Sequence, residues 1–170
     1  MDPIKNSPLP KEALLHLYSR DGHYTDCFST EISRSVTHSQ YVTAFYTTKL
    51  FKIERFILRL AVSRPSTDTE AMQLAEEQRD AFAAWSVEAR DKNQLLLCDF
   101  KGRTRSWLMV EPMTPEQGPR TRLYFGSAVV LTGKNESERR SRGFSMLLRF
   151  HRWYSVALLY SAKKRLERAD

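Results

Sequence analysis

The stretch that most constrains the fold is the last one, GFSMLLRFHRWYSVALLYSAKKRLER, residues 143–168. At 100° per residue, Leu147, Phe150, Tyr154 and Leu158 share one face, and Met146, Leu148, Trp153 and Ala157 widen it on both sides. The remaining polar strip is narrow and carries Arg149, Arg152 and Lys163. A helix with so wide an apolar surface has to be covered over most of its circumference. A single sheet curling around it would do that.

The rest of the chain supplies such a sheet. Residues 24–32 alternate, with Tyr24, Phe28 and Ile32 on one side and Thr25, Ser29 and Glu31 on the other, as a half-buried strand does. Residues 37–46 read as a helix capped by Thr37, and residues 50–62 repeat Leu50, Ile53, Ile57 and Leu60 at helical spacing. The run Thr67-Asp68-Thr69-Glu70 has capping-box spacing and opens a short helix through Ala71, Leu74 and Ala75 to about Gln78. From Phe82 the period changes to two. Residues 83–90, 94–100, 104–111 and 121–131 then read as four strands with short links, hence an antiparallel meander. A polar, charged loop at 132–142 leads into the final helix. The Pro-rich start, residues 1–20, is expected to be a flexible leader with a short helix, and residues 21–170 a single domain. The expected class is α+β: a curved antiparallel sheet wrapped around a long C-terminal helix, with a helix pair after the first strand.

Composition narrows the classes of function. A chain of 170 residues, 41% hydrophobic and 28% charged, suits one compact domain. No apolar run approaches the roughly 20 residues of a membrane span, and the start lacks a basic-then-apolar signal layout, so a soluble, cytoplasmic protein is expected. Cys27 and Cys98 lie inside strand patterns without metal spacing and read as reduced, buried thiols. His16, His23 and His38 have no metal spacing either, and neither a metal nor another cofactor is expected. The net charge of +7 raises the question of an acidic partner. The charge is spread over loops (Arg103, Arg105, Arg120, Arg122, Arg139, Arg140, Arg142) and over the end of the last helix (Lys163, Lys164, Arg165), where it complements the helix dipole. The aromatic residues sit at core spacing and form no stacking platform, so nucleic acid is not the expected partner.

The order strand, helix pair, meander and long final helix resembles the Bet v 1-like, START-related superfamily, the helix-grip or SRPBCC proteins. YTDCFSTEI at 24–32, the meander, and FHRWYSVALLYSAKKRL at 150–166 resemble a bacterial family of unknown function within it, over about residues 22–168. The resemblance implies an apolar or amphipathic ligand held between sheet and long helix, and in some members cyclase-type chemistry there. Fold alone does not choose between these.

Two strand registers compete for the cavity. One presents Trp85, Val87, Leu95, Leu97, Asp99, Arg105, Trp107, Met109, Tyr124 and Ala128; the other presents Leu96, Cys98, Phe100, Leu108, Val110, Leu123, Phe125 and Val129. Both are apolar for a sheet with one wet side. Either the convex face is covered, by a helix or by a second copy in a homodimer, or the concave face is over-filled. The candidate ligand-binding set is Trp85, Trp107, Arg105, Tyr124, Tyr154 and His151, in which the rings offer flat walls or simply fill a core. His151, flanking the apolar face beside Tyr154, is a candidate acid, base or donor, or a packed histidine. Asp99 is the candidate carboxylate; among Leu95 and Leu97 it is costly unless paired, and Arg105 across the hairpin is the expected partner. Gly126-Ser127-Ala128 lacks the flanks of a nucleophile elbow. Three functions stay open: a binding module for a small apolar or amphipathic molecule, a cyclase or dehydratase using His151 with Asp99, and an interaction or structural protein with a basic surface, of which nucleic-acid binding is one variant.

Overall fold

The computed structural model of the chain describes residues 3–113, 118–130 and 142–168, and only the backbone of residues 58, 61, 62 and 142–148. The loop expected at 132–142 and the side chains of Met146, Leu147 and Leu148 therefore lie outside the description. The strands are β1 (Lys5–Asn6), β2 (Tyr24–Ile32), β3 (Ala81–Phe82), β4 (Trp85–Asp91), β5 (Gln94–Asp99), β6 (Thr104–Met113) and β7 (Arg120–Val129). The helices are α1 (His16–Arg20), α2 (His38–Tyr46), α3 (Lys49–Val62), α4 (Asp68–Ala75) and α5 (Arg142–Glu167). All neighbouring strands are antiparallel, in the order β1-β2-β7-β6-β5-β4-β3. A register shift between Val87 and Ala89 bends β4. This is the expected helix-grip class: a curved antiparallel sheet, a helix pair after the first long strand, and a long C-terminal helix packed on the sheet. The two strands not foreseen, β1 and β3, have two residues each, too few to carry a period.

Both sequence-predicted caps form. Thr37 Oγ1 accepts from Gln40 N at 3.2 Å while Gln40 Oε1 accepts from Thr37 N at 2.9 Å, and Thr67 and Glu70 exchange the same bonds at 3.1 and 2.8 Å.

The inner face of the sheet is built on a row that crosses four strands, Phe28, Phe125, Leu108 and Leu95, all buried. Against this row α2 sets Tyr41, Val42, Phe45 and Tyr46; the ring of Phe45 lies 4.8 Å from that of Phe125, and Tyr46 lies 4.8 Å from Phe51. Because α2 fills the middle of the face, α5 docks beside it, along β2 and β7, through Ser155, Leu158, Leu159, Ala162 and Leu166. That contact face is turned by roughly 100° from the stripe read off the sequence. Phe150 and Trp153 consequently stand 61% and 65% exposed, whereas Lys163, expected on the outer polar strip, is 2% exposed.

The outer face is equally apolar and is closed by the chain's own beginning. Cys27, Gly126, Trp107 and Leu96 form its central row. Ala13, Leu15 and Tyr18 pack on it, with Leu9 and Leu14 at the margin. A Cβ on Gly126 would stand 2.9 Å from Leu15 Cδ2, Trp107 Cε3 and Asp26 O, so the bare glycine makes room for Leu15. The buried Gln94 side chain completes the seal. Its Oε1 accepts from Leu14 N at 3.0 Å and Trp107 Nε1 at 2.9 Å, and its Nε2 donates to Glu12 O at 3.0 Å. The segment expected to be a flexible leader is thus laid across the sheet, with Lys5 and Asn6 paired to Ser29 and Phe28, and no second copy is needed to cover this face.

Candidate functional site

Neither of the two expected registers is realised whole. Leu97 pairs with Ser106, so the loop after Asp99 brings odd-numbered residues of β5 onto the same face as even-numbered residues of β6. The predicted site residues are split accordingly. Trp85, Tyr154 and His151 lie on the inner side; Arg105, Trp107 and Tyr124 lie on the outer one.

On the outer side each residue has a structural task. Trp107 is buried and donates to Gln94. Arg105 Nε lies 2.7 Å from both Tyr18 OH and Glu88 Oε2, its guanidinium rests over the Tyr18 ring, and Tyr18 donates in turn to Glu88, which fastens α1 to the sheet. Burial and the bond to Glu88 push the Tyr18 hydroxyl up to about 12. Tyr124 OH donates to Glu111 Oε2 at 2.8 Å. The expected pair of Asp99 with Arg105 is not made. Asp99 Oδ1 instead accepts from Arg103 N at 2.6 Å and Thr104 N at 2.8 Å and closes its own hairpin.

On the inner side His151 and Tyr154 hold α5 in place. His151 Nε2 lies 2.6 Å from Ser127 Oγ, which donates to Asp26 Oδ1 at 2.6 Å; Ser127 N reaches the same oxygen at 3.1 Å, and Tyr24 OH donates to Asp26 Oδ2 at 3.3 Å. With the serine proton directed at Asp26, the imidazole donates to Ser127 through Nε2. The hydroxyl stands between carboxylate and imidazole, whereas a hydrolase needs the imidazole between the other two. Ser127 is moreover buried. Asp99 lies on β5, two strands from Ser127 on β7, and its Oδ1 closes its own hairpin, so it is not a hydrogen-bond partner of His151. One turn on, Tyr154 OH donates to Glu54 Oε2 at 2.5 Å; burial raises the Glu54 carboxyl above the usual carboxylate range, and the tyrosine bond opposes that shift. Trp85 is half-buried, packed at the margin of the inner core.

The space between sheet and helices is filled by Phe45, Tyr46, Phe51, Phe82 and Phe125 in mutual ring contact. The opening that offers room lies instead on the outer flank of α5. A groove of about 550 Å³ runs between Trp153, Val156, Ala157 and Tyr160 on the helix and Pro3 and Ile4 before β1, with Lys163 also in its lining. The Lys163 ammonium donates to Thr30 Oγ1 at 3.2 Å and lies 3.9 Å from Glu167 Oε1. Beyond Tyr160 a second cleft of about 530 Å³ is lined by Thr48, Lys49, Leu50, Ser161, Lys164, Arg165 and Arg168.

No protein-family model and no curated protein matches the sequence. Among the described residues no group of three or more His, Cys, Asp or Glu is gathered for a metal ion, and no helix is long and apolar enough to cross a membrane. The groove joins aromatic and aliphatic walls to one deeply buried cation. Sequence reasoning picked out Trp153 and Ala157 only as the margin of a core stripe, and it placed Lys163 in solvent. The available signal was the spacing of Trp153, Val156, Ala157, Tyr160 and Lys163, a second helical stripe with a cation at its end.

Proposed function

We propose that the protein binds a small amphipathic molecule, with an anionic head and an apolar body, in the groove on the outer flank of α5. The observation that carries this reading is the 2% exposed Lys163 in the lining of a groove of about 550 Å³ walled by Trp153 and Tyr160. That size falls within the roughly 300–1,000 Å³ of small-ligand sites, which combine apolar walls with few polar groups. Lys163 already meets Thr30 and Glu167, and a carboxylate or phosphate in the groove would add a charge-assisted bond to those contacts. The Bet v 1-like resemblance supports the same class of ligand, held in that superfamily between sheet and long helix. Here the aromatic residues of α2 occupy that space, and the reading moves the guest to the other side of α5.

Titration of the protein with fatty carboxylates of increasing chain length, and with the matching alcohols, followed by tryptophan fluorescence and thermal shift, tests the proposal. The acid should bind about tenfold more tightly than the alcohol, a difference of about 1.4 kcal/mol. Lys163→Met should erase that preference while keeping the apolar contribution, and Ala157→Trp should fill the groove and abolish both. Absence of binding by either series, or an undiminished acid preference in Lys163→Met, would sink it.

A further inference from the structure

Helix α3 is packed with its polarity reversed. Its buried side carries Phe51 together with two charged residues: Arg55, bonded to Ser66 Oγ at 2.9 Å and Asp68 Oδ1 at 2.6 Å, and Glu54, bonded to Tyr154 of α5. Four of its apolar residues face outward. Ile53 is 59%, Phe56 59%, Ile57 57% and Leu60 69% exposed. On a helical projection these four fall within an arc of about 100°. The neighbouring helix adds Phe150 and Trp153, whose rings lie 6.1 Å apart, and Phe150 stacks on Tyr154, the residue that ties α5 to α3. Such an expanse of large apolar side chains marks an interaction surface.

The border of this surface is cationic. Lys49, Lys52, Arg59 and Arg64 are exposed on or just beyond α3, and Arg149 and Arg152 on α5. Lys52 reaches Asp68 at 2.5 Å. At the start of α3, Lys49 also lines the second cleft with Lys164, Arg165 and Arg168; Lys164 meets Glu167 at 3.3 Å. Lys49 lies on the same side of the helix as the apolar arc, so the cleft opens at one end of that arc.

We propose that this face docks on an anionic lipid surface, with Ile53, Phe56, Ile57 and Leu60 sunk to the acyl boundary and headgroup phosphates held by the basic border and the cleft. The arc is the convex side of a helix, with charge on its flanks and aromatic residues beside it, the form in which a helix lies in a membrane interface without crossing it. Anionic headgroups complement the cations. A second copy of the chain does not, because a two-fold contact would set one cationic border against another. The proposal stands on residues other than those that wall the groove, apart from Trp153 and from Tyr160, which the cleft shares with it.

Co-sedimentation with vesicles tests it. Vesicles of phosphatidylcholine containing about one third phosphatidylserine should bind the protein at least about tenfold more tightly than phosphatidylcholine alone, and added salt should weaken the binding. Ile57→Glu and Leu60→Glu, at exposed positions, should each reduce binding about tenfold with the melting temperature unchanged. Arg165→Glu combined with Arg168→Glu should remove most of the preference for the anionic vesicles while the fold persists. Equal or absent binding to the two kinds of vesicle overturns the proposal. So does a dimer in solution that Ile57→Glu dissociates, or a soluble acidic protein that occupies the face and keeps the chain off anionic vesicles.

Discussion

Helices α2 and α3 follow one another in the chain, separated only by Thr47 and Thr48, and both are rich in large apolar side chains, yet one is swallowed by the core and the other is not. In α2 every apolar residue from Tyr41 to Tyr46 is buried on the sheet. In α3 Ile53, Ile57 and Leu60 of the regular apolar stripe face away, and Glu54 and Arg55 are turned inward toward Tyr154 and Asp68. Apolar content alone therefore does not decide burial. The inner face of the sheet is finite, and α2, α4 and the C-terminal half of α5 exhaust it. The stripe of α2 serves stability, and that of α3 is left for contact with something else.

The largest test of this contrast is a pair of matched truncations. Phe45→Ala should cost about 3–5 kcal/mol in urea unfolding, because the ring is packed on all sides. Phe56→Ala should stay within about 0.5 kcal/mol. Equal losses would mean that α3 is as well covered as α2.

A smaller effect is expected from acid. His38, in the first turn of α2, is held at about 4 by burial, reinforced by the Arg90 cation and opposed by a bond to the Leu108 backbone; its Nε2 is buried with no partner among the described residues. In the unfolded chain the imidazole titrates near 6.5. As pH falls the unfolded state therefore takes up the proton first. Stability is full above about pH 6.5 and declines toward pH 4, by up to about 3 kcal/mol. Urea midpoints measured across that window should slope in the parent protein, and His38→Gln should remove this part of the slope.

The smallest effect concerns the inward side of α3. Glu54→Gln keeps an acceptor for Tyr154 and removes a carboxylate whose charged form burial disfavours. It should raise the melting temperature at pH 7 by roughly 2–4 °C, the shift that about 1 kcal/mol produces in a chain of this size. Because the folded-state pKa is raised, the cost of the charge is felt above the unfolded value, and the gain should fade below about pH 4.5. A loss at pH 7 would show that the charge itself holds α3 in its reversed setting.

The elements were legible in the sequence where local rules decide them. The alternation of Tyr24, Phe28 and Ile32 and the two Thr caps place β2, α2 and α4 without reference to the rest of the chain. Facing was not legible, because it depends on partners distant in sequence. The turn after Asp99 decides which parity of β6 joins Leu95 and Leu97, and it separates Trp107, Arg105 and Tyr124 from Trp85, His151 and Tyr154. The period of Leu50, Ile53, Ile57 and Leu60 is the same whether a helix faces a core or the outside, so α3's reversal had no local signature. Lys163 read as a solvated residue at a helix end, and only the turn of α5 beside α2 brings it inside. The candidate groove was unreadable for the same reason, since Pro3 and Ile4 carry no pattern that ties them to α5.

The seal on the outer face has a consequence for the order of events when the chain is made. Leu14 and its clasp Gln94 are 80 residues apart, and Trp107 and Gly126, on which Leu15 rests, come later still. Residues 9–18 thus leave the ribosome with their apolar side bare and have no seat until β5, β6 and β7 have been synthesised.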